Sequence, residues 1–490
     1  MKKKLLIYTV AYNAEKLIES TIERIPKDLN QNYDVEILIS DDSSIDRTFE
    51  ISNNIKSKSI YKLNVIKTSQ NLGYGGNQKI GYKYAIENNF DFVILLHGDG
   101  QYSPELINKI LKPLVQNEEF GLVLGSRMMN KFSALKGRMP FYKFIGNIIL
   151  SKFQNILLGT KISEFHTGYR AFNVKKLKSI NFILNTNNFH FDTEIIIQFI
   201  AKKIKISEIP INTFYGDEVC HVNGWKYATN VIKASLKYRL MSLGLFYDPK
   251  YEVLSENKYQ DKLAFISTHK KAYDFIDSDT KVLDLGCADG YLSKELEIKK
   301  RCEVLSYDYE NKNELKLENF SQIDLNKELP NINYDNLDYI LMLDVIEHLF
   351  KPEIFMSKLQ RKLKNNKKVK LIFTTGNVCF FITRIMMLLG QFNYGPRGIL
   401  DMTHTRLFTF KSFSRLIKNS NFNIINASGI PAPFGLAIGN NFLSKFLTSM
   451  NIFFIKLSKG FFSYQMIFIV EPKLNIDSEY IKITKNINLD

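Results

Sequence analysis

The chain has 490 residues, more than a single hydrophobic core usually holds, so at least two domains are expected. A hydrophobic content of 45% with 24% charged residues excludes both a disordered chain and one dominated by membrane spans. The formal net charge of +16 suits phosphate-rich ligands, nucleic acid or an anionic membrane, although a general lysine bias is the favoured explanation.

The cysteines and the amino terminus give two further expectations. Four scattered cysteines show neither metal-ligand spacing nor a disulfide framework, so a cytoplasmic location is expected. The short apolar run near the start predicts a first β-strand rather than a signal peptide. No motif supports nucleic-acid binding, so nucleic acid is not an expected partner.

Apolar, β-branched runs alternate with stretches of helix length, a pattern typical of α/β folds with mainly parallel sheets. The pattern begins twice, and a polar segment from Tyr247 to Asp279 separates the two parts. The first predicted sheet contains Lys4–Val10, Val35–Ser40, Asn64–Lys67 and Phe92–Leu96. The second contains Lys281–Leu285, Glu303–Tyr307, Tyr339–Leu343 and Val369–Phe373, with Tyr464–Val470 as its last strand.

Three loops after predicted strands of the first domain carry acids or glycines. Asp42 follows the second strand, a glycine-rich run at residues 71–77 follows the third, and Asp99 with Gln101 follows the fourth. Such strand ends are where α/β sheets bind ligands. A carboxylate can contact a nucleobase or ribose, glycine backbone can approach a diphosphate, and Asp99 with Gln101 offers oxygen ligands for Mg²⁺ or Mn²⁺. The loop at Asp42 alone is equally compatible with a capped turn.

The first domain resembles family 2 inverting glycosyltransferases, particularly the dolichyl-phosphate-mannose-synthase-like branch. The resemblance implies a GT-A nucleotide-diphospho-sugar transferase fold for residues 1–245. Its matching segments follow the family's order: Thr9–Ile18, Asp41–Thr48, Asn71–Asn77, His97–Glu105, Gly125–Arg127, His166–Asn173 and Ile206–Ile211.

Carried over by position, the resemblance implies a donor site and a metal site. The implied nucleotide-sugar-binding residues are Asp42 at the base, Asp46, Gly73, Asp99, and the phosphate-binding Arg127 and Arg170. Asp99 and Gln101 are the implied ligands of Mg²⁺ or Mn²⁺. The family's Asp-x-Asp begins here with His97, which is compatible with a metal ligand, a phosphate contact or a structural residue, so metal dependence stays open.

The expected reaction is an in-line displacement at the anomeric carbon. A polyprenyl-phosphate acceptor is already anionic, whereas a glycan hydroxyl needs a base. Asp192 and Glu194 are the candidate catalytic bases, with helix capping as the favoured alternative. The segment at residues 216–227, which contains His221 and Trp225, is a candidate acceptor loop.

The second domain begins with a strand followed by a glycine-containing turn. Gly286 and Gly290 follow Asp284, and Asp308 ends the next strand, where it can bind two ribose hydroxyls. The spacing does not meet the G-x-G-x-x-G of nicotinamide-binding domains. It resembles the Asp-x-Gly-x-Gly-x-Gly loop of class I S-adenosylmethionine-dependent methyltransferases, with Ala288 at the middle glycine.

Residues 337–353 are similar to ubiquinone-biosynthesis-type methyltransferases, which implies a Rossmann-like class I fold. The expected domain covers residues 262–472, after a linker at 246–261 and before a tail at 473–490. The implied S-adenosylmethionine-binding residues are Asp284, Gly286, Gly290, Asp308, Asp324 and Asp344. His404 is the candidate catalytic base for an oxygen acceptor, His348 is favoured as structural, and Asn377–Thr405 is predicted to build the acceptor pocket.

These features predict a bifunctional enzyme of glycan or glycolipid assembly. It would use a nucleotide-diphospho-sugar donor and a glycan or polyprenyl-phosphate acceptor, and would methylate a glycan-related acceptor with S-adenosylmethionine. The alternative keeps the transferase and makes the second domain a binding or scaffolding module. Peripheral contact with the inner face of the membrane is a further expectation. Phe442 to Leu457 has the spacing of a basic amphipathic helix, for which packing against its own domain is favoured.

Overall fold

The computed structural model describes residues 2–130, 134–135, 137–212, 223–242, 247–252, 262–310, 317–363, 366, 368–395 and 397–473. The chain divides into two compact units, and the division falls between residues 241 and 257. His221 of the candidate acceptor loop, most of the expected linker and residues 474–490 of the expected tail lie outside the described residues.

The first unit is built on a seven-stranded sheet in the order β3-β2-β1-β4-β6-β5-β7. Its strands are β1 Lys3–Ala11, β2 Tyr33–Asp41, β3 Lys62–Lys67, β4 Phe92–His97, β5 Phe120–Ser126, β6 Arg170–Asn173 and β7 Lys205–Pro210. Its helices are α1 Ile18–Glu23, α2 Thr48–Lys56, α3 Tyr74–Glu87, α4 Ile107–Gln116, α5 Phe141–Leu158, α6 Val174–Leu177, α7 Phe191–Ala201 and α8 Gly224–Ser242. Single 3₁₀ turns occupy Leu29–Gln31, Pro104–Leu106, Phe182–Leu184 and Pro249–Tyr251.

The register of the central strands brings three loops to one edge of the first sheet. Strand β1 pairs in parallel with both β2 and β4, with Ala11 opposite Asp41 and Val10 opposite His97. These strands are almost continuously apolar, as expected for strands covered by helices on both faces. The loops after β1, β2 and β4 therefore leave the sheet side by side.

The second unit has a seven-stranded sheet in the order β10-β9-β8-β11-β12-β14-β13. Its strands are β8 Lys281–Leu285, β9 Glu303–Asp308, β10 Phe320–Gln322, β11 Tyr339–Leu343, β12 Lys370–Gly376, β13 Phe422–Ile430 and β14 Gln465–Pro472. Its helices are α9 Thr268–Phe275, α10 Tyr291–Lys300, α11 Pro352–Lys362, α12 Phe381–Leu388, α13 Phe410–Asn419, α14 Phe434–Ile438, α15 Phe442–Leu457 and α16 Lys459–Phe462, with a 3₁₀ turn at Ile346–His348. Strands β8 to β12 are parallel, and β14 is antiparallel to both neighbours.

Helix α15 has the predicted bounds but not the expected orientation. Phe442, Phe446, Met450 and Phe453 are all exposed to solvent, so the expectation that they pack against their own domain is wrong. Across the described ranges, we find no helix with both the length and the apolar character needed to cross a bilayer.

Candidate functional site

A connected row of side chains lies at the carboxyl end of β4 in the first unit. His97 Nε2 lies 3.2 Å from the Tyr74 hydroxyl, and that hydroxyl donates to Asp192 Oδ2 at 3.0 Å. The Arg170 guanidinium lies 3.3 Å from the same Asp192 oxygen. At the other end, His97 Nδ1 lies 4.0 Å from Asp99 Oδ2. Residues far apart in the sequence thus meet at one sheet edge, and we call this row the His97 cluster.

The partners of Tyr74 indicate which nitrogen of His97 carries the proton. A carboxylate only accepts, so the Tyr74 hydroxyl donates to Asp192 and its oxygen accepts from His97 Nε2–H. Burial lowers the pKa of His97, which favours the neutral ring. In this tautomer Nδ1 keeps its lone pair on the side of Asp99.

Asp99 and His97 offer two donor atoms to a divalent cation. The Gln101 backbone N–H donates to Asp99 Oδ1 at 3.0 Å and orients this carboxylate. Within the described part of the chain, no three His, Cys, Asp or Glu side chains are grouped so that they alone hold a metal. Mg²⁺ commonly takes one or two protein ligands together with substrate phosphates and water, so this pair fits a cation that binds with a diphosphate.

Arg170 and Asp192 form the buried base of the His97 cluster. Arg170 is fully buried and also donates to the carbonyl oxygens of Thr167 and Asp192, at 2.8 and 2.9 Å. Its guanidinium therefore lies behind Asp192 and not at an open phosphate position. Asp192 accepts from Gln78 at 3.1 Å, and α7 has no side-chain cap, so the favoured capping role of Asp192 is wrong.

Glu194, the other candidate base, lies apart from the cluster. Its carboxylate pairs with Lys250 at 2.9 Å and accepts the Thr186 backbone N–H at 2.6 Å. These contacts fix the start of α7 to neighbouring loops without a capping hydrogen bond, so capping is wrong for Glu194 too. Of the two candidates, only Asp192 joins the cluster.

Arg127 follows β5 and forms a buried ion pair with Glu164. Arg127 Nε donates to Glu164 Oε1 at 2.8 Å, and Asn147 of α5 donates to the same oxygen at 2.7 Å. Burial opposes ionisation of Glu164, but the Arg127 charge and these hydrogen bonds outweigh it and lower the pKa of Glu164. Arg127 also donates to the His166 carbonyl at 2.8 Å, so it ties β5 to the loop before β6.

The acids after β2 hold neighbouring backbone in place. Asp42 accepts the N–H groups of Leu72 and Gly73 at 2.8 and 3.0 Å. Asp46 accepts that of Thr48, at the start of α2, at 3.0 Å. Both therefore shape the sheet edge where the sequence predicts the nucleotide.

Two glycines of this edge are required by close contacts. Gly73 has φ +79°, and a Cβ there would lie 2.8 Å from the Asn187 carbonyl oxygen. A Cβ on Gly168 would lie 2.5 Å from His97 Cε1. The close contact with Asn187 is therefore sufficient reason for a glycine at position 73, whether or not a diphosphate binds there.

In the second unit, a small cavity opens at the carboxyl end of β8. Its walls include loop residues 286–289, Leu343 at the end of β11, and Lys262 and His269 from before and within α9. Burial lowers the pKa of His269 to about 3, so its ring is neutral near pH 7.

The loop after β8 has the shape that a cofactor turn needs. Gly286 has φ +85°, and a Cβ there would lie 2.3 Å from Val345 Cγ2. Gly290 has φ +79° at the start of α10, and Ala288 adopts φ +52°. Asp308 accepts the Ala288 N–H at 2.8 Å. An acid at the end of β9 thus holds the glycine turn that lines the cavity, and this set fits S-adenosylmethionine.

The other predicted cofactor residues differ in their contacts. Asp344, after β11, accepts from Gln465 at 3.0 Å and lies 3.8 Å from Lys262. Asp284 lines the cavity and accepts from Ser293 of α10 at 2.7 Å, and burial raises its pKa to about 6. Asp324 lies two residues beyond β10, near the end of β9 that carries Asp308.

Glu347 and His404 form an acid–base pair just beyond Asp344. His404 Nδ1 lies 3.0 Å from the Ile399 carbonyl oxygen, so Nδ1 carries the proton and Nε2 keeps its lone pair. That Nε2 lies 4.0 Å from Glu347 Oε1. Burial, and then the Asp344 charge, raises the pKa of Glu347 to about 8, while burial lowers the pKa of His404. A protonated acid therefore faces a neutral base at pH 7.

Several residues that complete these sites were not predicted from the sequence. Tyr74 and Gln78 lie at the start of α3, directly within and after the glycine-rich run, and Glu164 precedes the matched segment at His166. Their positions inside or beside recognised motifs are the signal that points to them. Lys262 and Gln465 carry no such signal, because only the fold brings them to Asp344.

The two sheets and their sites define two classes of enzyme: a GT-A nucleotide-diphospho-sugar transferase and a class I, Rossmann-like methyltransferase. The family model for glycosyl transferase family 2 matches residues 6–180, and one for a methyltransferase domain matches residues 254–427.

The chain is similar to several known proteins. The UDP-N-acetylglucosamine–dolichyl-phosphate N-acetylglucosaminyltransferase of Methanococcus voltae is 34% identical over 49% of this chain and 96% of its own. The dolichol-phosphate mannosyltransferase of Pyrococcus furiosus is 27% identical over 43% and 56%. A crystal structure of glucosyl-3-phosphoglycerate synthase from M. tuberculosis aligns with a TM-score of 0.36 and 16% identity, over 48% and 80%. The chain belongs to glycosyl transferase family 2 and carries a methyltransferase domain in its second half.

Proposed function

We propose that residues 1–245 transfer a sugar from a nucleotide-diphospho-sugar to a polyprenyl-phosphate acceptor, and that residues 262–472 methylate a glycan-related acceptor. The observation that carries the first part is the His97 cluster, which places Asp99 beside a neutral histidine at a ligand-binding sheet edge. Relatives named for dolichyl-phosphate acceptors support the choice of a lipid phosphate.

The transfer is a displacement in which an acceptor phosphate oxygen attacks the anomeric carbon. The bond from that carbon to the donor diphosphate breaks, and the nucleoside diphosphate leaves. Asp99 and His97 would hold a divalent cation, which would stabilise the negative charge on the leaving group. Because a phosphate acceptor is already ionised, Asp192 need not remove a proton. Its role is to hold Tyr74 and thereby the tautomer of His97.

Helix α5 supports an acceptor presented at a membrane. Its inner side contacts the site through Asn147, which donates to Glu164 at 2.7 Å. Its outer side exposes large apolar side chains at helical spacing, namely Phe141, Ile145, Ile149 and Ile156. An exposed apolar helix face next to the site suits a lipid-linked substrate, and peripheral membrane contact is part of the proposal.

For the methyltransferase domain, S-adenosylmethionine supplies an electrophilic methyl group on a sulfonium. The acceptor hydroxyl would lose its proton to His404 Nε2 as its oxygen bonds the methyl carbon and the methyl–sulfur bond breaks. Glu347 faces that nitrogen at 4.0 Å, where its carboxyl oxygen can accept a hydrogen bond from the Nε2–H of the protonated ring. A scaffolding module is the alternative, and it predicts no cofactor binding.

The transferase is tested with UDP-N-acetylglucosamine, dolichyl phosphate and Mn²⁺, with the glycosylated lipid as readout. Asp99→Ala is expected to abolish turnover, as is chelation of the metal. Asp34→Ala, which changes an exposed acid at the opposite end of β2, is expected to retain turnover. Equal activity of the two variants would remove Asp99 from the reaction site.

The methyltransferase assignment is tested by calorimetric titration with S-adenosylmethionine. Wild type is expected to bind and Asp308→Asn to bind at least 10-fold more weakly, because the Asp308 carboxylate orders the cofactor turn. Asp274→Asn, an exposed acid on α9, is the matched control. No heat of binding with wild type would support the scaffolding alternative.

A further inference from the structure

We propose that the second unit docks on an anionic lipid bilayer through a surface formed by α12, α15 and α16. Helix α15 differs from an ordinary surface helix, because its large apolar side chains face solvent. Its exposed side carries five large apolar residues at helical spacing, here called the apolar stripe: Phe442, Phe446, Met450, Phe453 and Leu457. Phe442 is 86% exposed and Leu457 is 67% exposed.

A buried polar side chain, Asn451, helps to attach α15 to its unit. Ser444 and Asn451 are the buried residues of this helix. Asn451 accepts the Ala432 N–H and donates to the Phe462 carbonyl, both at 2.9 Å. A surface helix normally buries its apolar side. Here the hydrogen bonds of Asn451 and the packing of Phe454 on Phe462 hold the inner side of the helix, and the apolar stripe faces outward.

Helix α12 extends the apolar surface. Phe381 lies 5.9 Å, between ring centroids, from Phe462, which lies 5.0 Å from Phe454 of α15. The two helices are therefore joined by packed aromatic rings. Exposed apolar residues continue at the end of α12, with Ile385, Met387, Leu388 and Leu389. Exposed apolar surface on two helices joined in this way is typical of an interaction site.

The charge around this surface selects the partner. Residues 377–470 contain nine Lys or Arg and a single Asp, a net +8 of the chain's +16. Lys445 and Lys456 are exposed on α15 itself. A groove along α13 adds Lys411, Arg415 and Lys418, and it also contacts Lys459, the first residue of α16. Apolar side chains among cations fit an anionic bilayer, whereas a second copy would set like charges against each other.

The surface is connected to the edge of the sheet that carries the cofactor cavity. Asn377, directly after β12, donates to the carbonyl oxygens of Gly460 and Ser463 at 3.1 and 2.8 Å. Gln465, which starts β14, donates to Asp344. Docking would therefore place the acceptor side of the methyltransferase at the lipid. Docking of the second unit goes beyond the proposed reactions and is separate from the membrane contact proposed for α5.

The test is co-sedimentation of the full chain with vesicles of phosphatidylcholine containing about 30 mol% phosphatidylglycerol. Phe446→Ser/Phe453→Ser is expected to bind at least 10-fold more weakly than wild type, because two inserted aromatic rings are lost. Lys445→Glu/Lys456→Glu is expected to lose roughly 30-fold on these vesicles, and its loss is expected to shrink as salt is raised. The matched apolar control is Ile298→Ser, which changes an exposed residue of α10 and should bind like wild type.

All of the changed side chains are exposed, so each variant is expected to fold, and a cooperative thermal unfolding transition checks this. Binding of the stripe variant equal to that of wild type would overturn the proposal, as would no binding of wild type. Concentration-dependent dimers of wild type that the stripe variant cannot form would also overturn it, because the stripe would then be a self-association surface. None of these three results changes the turnover expected in the sugar-transfer assay, so failure of the docking proposal is distinguishable from failure of the proposed transfer.

Discussion

The imidazole of His97 occupies the space that a side chain on residue 168 would need. A Cβ on Gly168 would lie 2.5 Å from His97 Cε1 and 2.6 Å from Nε2. The Gly168 N–H also donates to the Tyr102 hydroxyl at 2.8 Å, which fixes the backbone beside the ring. The histidine at the start of the metal motif and the glycine before β6 are therefore sterically matched.

Gly168→Ala is expected to push His97 away from Tyr74 and Asp99. Overpacking at a buried site costs about 1–3 kcal/mol, and sugar transfer should fall at least 10-fold. Differential scanning calorimetry and the lipid-glycosylation assay measure the two effects. Gly146→Ala on α5, where a Cβ meets open space, is the control and should be neutral or stabilising.

A double variant separates packing from function. His97→Ala/Gly168→Ala should recover most of the stability, because the ring that clashes with the new methyl group is absent. Sugar transfer should stay low, since the nitrogen beside Asp99 is gone. Full transfer by Gly168→Ala alone would show that the position of His97 does not matter to the reaction.

The buried pair of Arg127 and Glu164 leads to a second prediction. Glu164→Gln leaves the Arg127 charge buried beside a neutral amide, which costs roughly 3–5 kcal/mol. Urea denaturation should show the loss. Glu119→Gln breaks an exposed pair with Lys205 and should leave the unfolding midpoint unchanged. Equal midpoints for the two variants would mean that Arg127 finds another partner.

The sequence predicts the regular parallel strands best. β8 and β11 have the predicted bounds, because each is an apolar run ended by a glycine or an acid. β6 was not predicted, since it has four residues and begins with the buried Arg170. β13 was not predicted either, because exposed and buried residues do not alternate along it.

Some residues of the candidate sites, like some of the strands, can be predicted from the sequence, and others cannot. Motif positions such as Asp99 and Asp308 can be read from the chain, because a strand end fixes where their backbone lies. The contact of Tyr74 with His97 cannot, since it depends on the packing of α3 against β4. The spacing of α15 predicts a helix, but spacing alone does not tell which side faces inward.

Ala288 provides a test of the cofactor turn. This residue adopts φ +52°, a left-handed conformation that costs an alanine about 1–2 kcal/mol relative to glycine. Ala288→Gly should therefore raise stability by about 0.5–1 kcal/mol after the added flexibility of the unfolded chain is counted. Its N–H to Asp308 remains, so affinity for S-adenosylmethionine in calorimetry should be unchanged. A weaker affinity would show that the methyl group itself contributes to binding.

Glu347 predicts a specific dependence of stability on pH. Its pKa rises from the ordinary 4.5 to about 8 on folding, because burial and Asp344 disfavour the carboxylate. At pH values between these two pKa values, unfolding therefore releases a proton, and the free energy of unfolding falls as pH rises from about 5 to 8. Glu347→Gln lacks this contribution. Its free energy of unfolding relative to that of wild type should therefore rise by on the order of 3 kcal/mol over that range.

Urea denaturation at pH 5, 6, 7 and 8 measures this difference for both proteins. Asp284 also has a raised pKa, but it is present in both and cancels in the comparison. Glu353→Gln, an exposed carboxylate on α11, is the control and should keep a constant offset from wild type. Methyl transfer by Glu347→Gln should fall while cofactor affinity holds, because Glu347 faces His404 and not the glycine turn. A constant offset for Glu347→Gln as well would mean that this carboxyl is already ionised in the folded protein, and the neutral pair with His404 would be wrong.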